Sequence, residues 1–339
     1  MRRVAFDGAI LAAGPWLGVA RSFLVALRAY AASPGTRPLL LLPPATPTVG
    51  IDGVEEMRTR AVCGPLARRL LLPGLLRRVG VAVWHAPIAA IPKHRDYRVI
   101  ATVHDVPWQA RDLPREEGHG WRHRRALLHA ARHADVVLCP SQATAADLRT
   151  EVSEVRARLL VVPHGVSLPE RVLPIAEHDG PFVSLGDDRP RKNLARLREA
   201  HARARARHPG LRPLVLFGPR RDGRGITPQE SEKHEALSRA RALVHPSLHE
   251  GFGLPVLEAM GHGTPVICSD RKSLPELAGG AALLVDPTDV DAIAEALIAI
   301  DSDSALCEKL ARAGRARAAA FQPEQVAAAW RRIHEELGA

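Results

Sequence analysis

The most informative segment of this 339-residue chain is HPSLHEGFGLPVLEAMGHGTPVICSD, residues 245–270. Pro255 favours the first turn of a helix, where its missing N–H costs nothing, and Gly261 and Gly263 favour the end of that helix. The run TPVICS that follows has the apolar, β-branched composition of a buried strand. The segment therefore predicts a loop, a short helix and a strand, with backbone N–H groups at the helix start that attract phosphate.

Two carboxylates flank this predicted helix start. Glu250 lies in the loop before the helix, and Glu258 lies about one turn inside it. They can accept hydrogen bonds from hydroxyl groups on opposite sides of a bound phosphate. This arrangement fits a ligand in which a sugar, a diphosphate and a ribose lie in a row. The plainer alternative is one acidic loop residue and one exposed Glu on an amphipathic helix.

A second anion site is predicted by SLGDDRPRKNLARLREAHARAR, residues 184–205. A strand ends at Gly186, a polar turn carries Arg191 and Lys192, and Asn193 is placed to cap the next helix. Two cations just ahead of a helix start attract a diphosphate through their charge and through the free N–H groups. The alternative is a solvated basic turn, which is common in an arginine-rich protein.

These motifs together resemble a known family. The two Glu residues, with seven residues between them in GFGLPVLEAM and followed by GTPV, are similar to the signature of the retaining nucleotide-sugar glycosyltransferases of family four. The resemblance implies an α/β protein of the GT-B fold, with two Rossmann-like doubly wound domains facing a cleft and a C-terminal helix that crosses back to the first domain. It places Glu250 at the transferred sugar as a catalytic residue, Glu258 at the ribose, and Arg191 and Lys192 at the diphosphate. The Gly-rich turn meets the phosphates through Gly251, Phe252, Gly253 and Leu254.

Three further segments carry the resemblance. Gly18 and Arg21 match the family's first-domain loop, where a glycine lets the backbone approach a phosphate or sugar. His104 and Asp105 end the predicted strand VIATVHD; the resemblance places His104 near the donor sugar or the acceptor as a second catalytic residue, and Asp105 among the substrate-binding residues. Gly218, which ends the strand LVLFG, is also assigned to substrate binding. An isolated His-Asp pair is more often structural, so position and resemblance together carry this expectation.

The organisation of the chain is predicted from short apolar runs that alternate with longer helical patterns, as in parallel sheets with covering helices. We expect an acceptor-side Rossmann-like domain over residues 1–166, a nucleotide-sugar-binding domain over 181–318, and a helix over 319–339 that packs back on the first domain. The predicted strands are 4–8, 39–42, 82–85, 99–105, 136–141, 159–165, 182–186, 214–218, 242–247, 264–269 and 281–285.

Composition excludes several classes of protein. No apolar run approaches the ~20 residues of a membrane-spanning helix, and the N-terminus lacks the pattern of a signal peptide. The four cysteines stand far apart, which is typical of a reducing cytoplasm and argues against disulfides or a zinc site. The net charge of +10 comes mostly from dispersed arginines, and aromatic residues make up only 4% of the chain, so nucleic-acid binding is not expected.

The segment GPLARRLLLPGLLRRVGVAVWHAP, residues 64–87, pairs leucines with arginines. We expect an ordinary amphipathic helix with buried leucines and surface arginines, packed on the first sheet as in the family. The alternative is a peripheral contact with an anionic membrane at its inner face.

No metal or other cofactor is expected. Asp301-Ser302-Asp303 has the spacing of a metal motif, but it lies between two C-terminal helices, where a helix cap or an exposed turn is the expected role. The two cations and two helix starts of the predicted site can already neutralise a diphosphate.

One departure from the family pattern concerns residues 219–241. Relatives fit a helix, a strand and another helix there, whereas this segment has room for a single helix that opens at Thr227-Pro228-Gln229-Glu230 as a capping box. We therefore expect one sheet strand to be missing. In the family this region helps to frame the nucleotide base, so the identity of the donor stays open.

The resemblance thus predicts a retaining hexosyltransferase that moves a sugar from a nucleotide diphosphate sugar to a glycan or lipid-linked acceptor. Its likeness to bacterial mannosyltransferases makes GDP-mannose the first candidate donor. The alternatives are a glycosidase, a sugar-nucleotide epimerase and a non-catalytic partner protein that binds nucleotide or polysaccharide.

Overall fold

The computed structural model describes residues 3–13, 18–33, 35, 37–92, 96–109, 121–219, 225–226 and 229–339. The chain divides into two compact units. The first contains the described residues of Met1–Val106 and His119–Gly165 together with Pro323–Ala339, and the second contains Val166–Gln322 with the described residues of Pro107–Gly118. None of the helices in these described ranges is long and apolar enough to cross a membrane.

The first unit is a parallel seven-stranded sheet with helices on it, in the strand order β3-β2-β1-β4-β5-β6-β7. Its strands are β1 (Arg3–Asp7), β2 (Leu39–Leu42), β3 (Glu55–Arg58), β4 (Val81–Ala86), β5 (Arg98–Thr102), β6 (Val136–Cys139) and β7 (Arg158–Val161). Its helices before the second unit are α1 (Gly18–Ala31), α2 (Gly64–Leu70), α3 (Leu72–Arg78), α4 (Trp121–His133) and α5 (Gln142–Glu151). Every residue of β2 and β6 is buried, as expected for strands that are covered on both faces.

The second unit is a parallel five-stranded sheet in the order β12-β11-β10-β8-β9. Its strands are β8 (Phe182–Leu185), β9 (Leu214–Phe217), β10 (Ala242–His245), β11 (Val266–Ser269) and β12 (Leu283–Val285). Its helices are α6 (Leu194–Arg207), α7 (Glu230–Arg239), α8 (Leu254–Gly261), α9 (Ser273–Ala278), α10 (Val290–Ser302) and α11 (Ser304–Ala318). Asp303 caps α11 by accepting from the Leu306 N–H, which is the structural role expected for that acidic pair, and Asp301 accepts from Arg212.

The last helix, α12 (Pro323–Glu336), belongs to the first unit. Val326, Trp330 and Ile333 are buried in the same core as Phe6 of β1, with the Trp330 and Phe6 ring centroids 5.6 Å apart. A Cβ on Gly165 would lie 2.9 Å from the Cα of Pro323, so only a glycine lets the chain pass the start of this helix.

Two sequence predictions are corrected by this fold. β3 was not predicted, because its residues EEMR are partly exposed and carry no apolar run; it is an edge strand, where charged residues are the usual protection against pairing with other chains. The predicted strands 99–105, 136–141 and 159–165 run too far, since the ladders end at Thr102, Cys139 and Val161. The polar residues that follow lie in loops at the carboxyl edge of the sheet.

The described part of the shortened segment after β9 contains one helix, α7, as predicted. Its N-cap is Gln229 rather than Thr227: the Glu232 carboxylate accepts from the Gln229 N–H at 2.7 Å, and Thr227 and Pro228 lie outside the described residues. Ile226 forms a single parallel bridge to Phe217 beside the edge strand β9. Among the described residues, this bridge is the only backbone pairing at the position that a sixth strand would occupy.

Candidate active site

The Glu250 carboxylate is the centre of a buried ion cluster in the second unit. It is only 8% exposed and accepts from Lys192 Nζ at 2.5 Å, from Arg191 at 3.1 Å and from His245 Nε2 at 3.1 Å. Arg191 also donates to the His249 carbonyl at 3.2 Å. The two sequence motifs that predicted an anion site therefore meet in space, with the carboxylate of one holding the cations of the other.

The charges of this cluster follow from burial and from the short distances. Burial alone would raise the pKa of Glu250, but Lys192 and Arg191 outweigh burial and hold it well below its ordinary value. Burial lowers the pKa of His245, so this ring is neutral near pH 7 and its Nε2–H donates to Glu250. Burial lowers the pKa of Lys192, while the Glu250 carboxylate acts to raise it. With Lys192 and Arg191 both protonated, the cluster carries two positive charges and one negative charge, which leaves a surplus for an anionic ligand.

Loop geometry fixes the two cations. Arg191 and Lys192 lie in a 3-10 turn between β8 and α6, and Asn193 follows with a left-handed backbone (φ 59°). The Asn193 side chain does not cap α6, which corrects that prediction: its amide donates to the carbonyls of Pro246 at 3.0 Å and Pro287 at 2.5 Å. Asn193 therefore ties the cationic turn to two other loops of the sheet edge.

Only a glycine fits at position 218, at this edge of the sheet. With φ at +129°, a Cβ there would lie 2.1 Å from the Gly186 carbonyl oxygen, so the loop after β9 passes directly against the loop after β8. Its N–H donates to the Ile226 carbonyl at 2.6 Å. The glycine accordingly shapes the floor beside the Lys192 side chain, which packs on Gly186.

The Gly-rich turn leads into α8 in the conformation that the sequence predicts. Gly251, Phe252 and Gly253 are buried, and Gly253 precedes α8 with φ +111° and no side-chain cap. Pro255 has no N–H and the Val256 N–H donates to Gly253, so fewer backbone donors face outward at this start than the sequence suggests. The Ser273 hydroxyl lies 2.8 Å and 2.9 Å from the carbonyls of residues 250 and 252 and fixes the turn from below.

Glu258 lies on α8 with its side chain 10% exposed, and Lys233 of α7 holds its carboxylate at 3.3 Å. Lys233 also pairs with Glu230 at 2.7 Å. The carbonyl of Glu258 accepts from His262 Nδ1 at 2.8 Å, and burial with nearby His234 and Lys233 lowers the pKa of His262 to about 4. The single helix of the shortened segment therefore supplies the cation that fixes the second predicted carboxylate.

His104 of the first unit is engaged on both ring nitrogens. Its Nε2 lies 2.8 Å from the Pro87 carbonyl and its Nδ1 lies 3.3 Å from His164 Nε2. Burial lowers the pKa of His104, although the Pro87 carbonyl and Asp105 act to raise it, and burial with His104 lowers the pKa of His164 to about 3. Both rings are neutral near pH 7, with His104 donating to Pro87 and accepting from His164.

The two predicted segments of the first unit lie close to each other. Gly18 opens α1 and Arg21 lies in its first turn. Val19 and Ser22 of the same turn line a cavity of about 30 Å³ together with His104 and His164. This volume suits a single water molecule. The structure thus brings together the first-domain loop and the VHD segment.

Comparisons with known proteins bear on both units. Residues 50–170 match the family model described as glycosyltransferase family 4, and residues 170–317 match the model described as glycosyl transferases group 1. The O-antigen chain mannosyltransferase B of Escherichia coli is 28% identical over 278 residues, which are 71% of each chain. The chain belongs to the family-4 glycosyltransferases.

Solved structures share the fold of this glycosyltransferase. Sucrose-phosphate synthase from Thermosynechococcus elongatus superposes with a TM-score of 0.78 at 21% identity over 99% of both chains. The Anabaena protein HepE, solved in complex with UDP and glucose, superposes with a TM-score of 0.73 at 16% identity over 99% of this chain and 100% of that one. The GT-B fold predicted from the sequence is confirmed.

Sequence reasoning missed three residues that shape the site of this glycosyltransferase. His245 ends β10 and donates to Glu250, Ser273 opens α9 and holds the Gly-rich turn, and Lys233 holds Glu258. His245 lies near the end of the predicted strand 242–247, and this position is a signal that the sequence contains. Lys233 had none, because helical spacing does not show which acid on another helix a lysine meets.

Proposed function

We propose that this glycosyltransferase transfers a hexose, with mannose as the first candidate, from a nucleotide diphosphate sugar to a glycan or lipid-linked acceptor with retention at the anomeric carbon. The observation that carries the proposal is the buried cluster of Arg191, Lys192 and Glu250 beside the start of α8. Support for mannose is the likeness to the E. coli mannosyltransferase, and support for a nucleotide diphosphate is HepE with its bound UDP.

The cluster suits departure of a diphosphate. Negative charge grows on the leaving phosphate as the sugar bond breaks, and preorganised cations stabilise that charge most in a site that excludes water. Arg191 and Lys192 are each only 9% exposed and are already held in place, so little reorganisation is needed. Because the two cations supply the positive charge, we propose that no metal ion is required.

The two carboxylates divide the remaining work. Glu258, held by Lys233, would accept from the ribose hydroxyls, and Glu250 would orient the sugar after the diphosphate takes over part of its cation contacts. His104 would act on the sugar or acceptor through its neutral ring, and Gly18, Arg21 and Asp105 complete the predicted substrate contacts. The likeness to relatives carries these last assignments, and retention would follow from same-face attack assisted by the leaving phosphate.

The first test is a calorimetric titration of GDP, UDP and ADP into the wild type and into Arg191→Ala/Lys192→Ala. Arg198→Ala/Arg205→Ala on the exposed face of α6 is the matched control, since it removes the same charge elsewhere. A triple variant that adds Glu250→Gln also removes the stranded carboxylate charge, and thermal melting shows which variants are folded.

Tight binding of one nucleotide that both cluster variants lose and the control keeps would support the donor site and select the donor. Incubation of that nucleotide's mannose or glucose form with glycan acceptors, with and without EDTA, then tests transfer, metal dependence and, by NMR of the product, the anomeric configuration. A folded wild type that binds none of the three nucleotides would overturn the proposal.

A further inference from the structure

Helix α2 of the first unit buries an arginine and exposes leucines, the reverse of the expected amphipathic arrangement. Arg68 is 5% exposed; it forms an ion pair with Asp7, donating at 3.0 Å to one of its oxygens, and also donates to the Ala90 carbonyl at 3.1 Å. Asp7 is fully buried at the end of β1. The buried pair therefore anchors α2 at the carboxyl edge of the sheet.

This anchor dictates which side chains face solvent. At 3.6 residues per turn, Arg68 lies roughly 200° around the helix from Leu66 and from Leu70, while these two leucines lie on one face. Burial of Arg68 consequently turns both leucines outward: Leu66 is 70% exposed and Leu70 is 65% exposed. Leu71, at the junction with α3, is 54% exposed. The prediction of buried leucines is wrong for these three residues, although Leu72 and Leu76 of α3 are buried as expected.

The charged residues of the segment that carries these leucines are all basic. Between Glu56 and Asp96 the sequence contains no acidic residue. Arg69, Arg77 and Arg78 are exposed on α2 and α3, and only Arg77 among them is paired in the described part of the chain, with Asp96 at 3.4 Å. Three exposed leucines flanked by arginines are the composition of a surface that inserts apolar side chains between anionic headgroups.

We infer that the leucine patch (Leu66, Leu70 and Leu71) with Arg69, Arg77 and Arg78 docks the first unit on an anionic lipid bilayer. The leucines enter the boundary between headgroups and acyl chains, and the arginines bind lipid phosphates. The inference stands on the surface alone and holds whatever donor the enzyme uses. Domains of this kind bind ligands at the carboxyl edge of the sheet. Docking through the leucine patch would hold this edge at the bilayer, where a lipid-linked acceptor would lie.

The same features disfavour other occupants. A second copy that used this face symmetrically would place the arginines of each patch against those of the other, and only the Arg77–Asp96 ion pair of the described residues would offset that repulsion. A nucleic acid would satisfy the arginines but leave the leucines against phosphates and water. An anionic bilayer satisfies both components at once.

The test is flotation of the purified full-length chain with vesicles of phosphatidylcholine, and with vesicles in which about one quarter of the lipid is phosphatidylglycerol. Leu66→Ser/Leu70→Ser/Leu71→Ser removes the patch, and Leu284→Ser in the second unit, at a leucine that is 40% exposed, is its control. Arg69→Gln/Arg78→Gln lowers the charge, and Arg198→Gln/Arg205→Gln removes the same charge from α6.

We expect binding of the wild type to the anionic vesicles only. The triple serine variant should lose about sixtyfold in partitioning, at about fourfold per leucine, the value of one buried CH₂ group. The Arg69/Arg78 variant should lose about thirtyfold at low salt, at about fivefold per arginine. Both controls should bind like the wild type. Because all the substituted residues are exposed, nucleotide binding and melting temperature should not change, which separates this inference from the proposed donor site.

The inference is overturned if the wild type does not float with the anionic vesicles, or if the triple serine variant floats as well as the wild type. It is also overturned if Arg198→Gln/Arg205→Gln loses as much vesicle binding as Arg69→Gln/Arg78→Gln. A dimer in sedimentation equilibrium that the triple serine variant dissociates would assign the patch to a second copy instead.

Discussion

Replacement of Glu250 by Gln is expected to weaken the fold of the second unit while it strengthens nucleotide binding. The carboxylate takes three donors at 2.5 to 3.1 Å, and its partners Arg191 and Lys192 are each only 9% exposed. Removing one member of a buried ion pair costs about 3–5 kcal/mol, because the charge that remains is uncompensated. Since Gln keeps one acceptor oxygen, we expect the lower end, about 3 kcal/mol, or a fall in melting temperature of roughly 6–12 °C.

Nucleotide diphosphate binding should change in the opposite direction. The diphosphate no longer competes with a carboxylate for the two cations, so Kd should fall by about tenfold, which corresponds to about 1.4 kcal/mol. Saturating nucleotide should therefore restore part of the lost stability. Transfer should nevertheless decrease, because the group proposed to orient the sugar is lost.

The pH dependence gives an independent check. Because the folded-state pKa of Glu250 is depressed, its contribution is complete above the unfolded pKa of about 4.3 and is lost as the pH falls below that value. The difference in free energy of unfolding between wild type and Glu250→Gln should thus be constant near pH 7 and shrink in acid.

Thermal melting with and without nucleotide, from pH 3 to pH 8, measures all three effects. Glu295→Gln is the control, because its ion pair with Arg207 is 60% exposed on the Glu side and should contribute less than about 1 kcal/mol. If Glu250→Gln has the melting temperature of the wild type, or if it loses nucleotide affinity together with activity, the proposed role of the cluster is wrong.

Three further changes test other parts of the structure. Lys233→Ala should raise the KM for the donor several-fold with little change in kcat, because it frees the carboxylate proposed to hold the ribose, and exposed Lys309→Ala should leave steady-state kinetics unchanged. Gly253→Ala should lower the melting temperature, since φ is +111° and its Cβ would meet a leucine methyl at 2.6 Å, whereas Gly210→Ala, with open space around it, should not. Burial lowers the pKa of His334 to about 3, so the stability that its neutral ring contributes above about pH 6.5 should be lost as the pH falls toward 3; denaturation curves of His334→Gln should show a flatter acid limb, and an unchanged limb would contradict this.

The two segments of the proposed donor site could be predicted from the sequence because their local residue types specify their structure. Gly253 and Pro255 specify a loop that turns into a helix, and Arg191 and Lys192 follow directly after a predicted strand, so parallel topology brings both segments to one sheet edge. Two doubly wound units follow from the same alternation of apolar runs and helical patterns.

The features that the sequence did not reveal depend on distant pairing. Lys233 is one of many basic residues on the helices, and its partner lies on another helix. The outward leucines of α2 follow from the ion pair between Arg68 and Asp7, which are 61 positions apart. β3 is held by pairing with β2, since three of its own four residues are charged. In each case a long-range contact overrides the local pattern.

The return of α12 to the first unit has a consequence for synthesis of the chain. Phe6 and Trp330 pack in one core, so that core is incomplete until α12 leaves the ribosome. At about 5–20 residues per second, translation of Val166–Gln322 alone takes on the order of 10–30 s. Throughout that interval the nascent first unit exposes the apolar groove that Trp330 will fill. Chaperone binding to that groove, or a pause before the final helix, would therefore influence the yield of folded protein more than either event would in a chain whose units close in order.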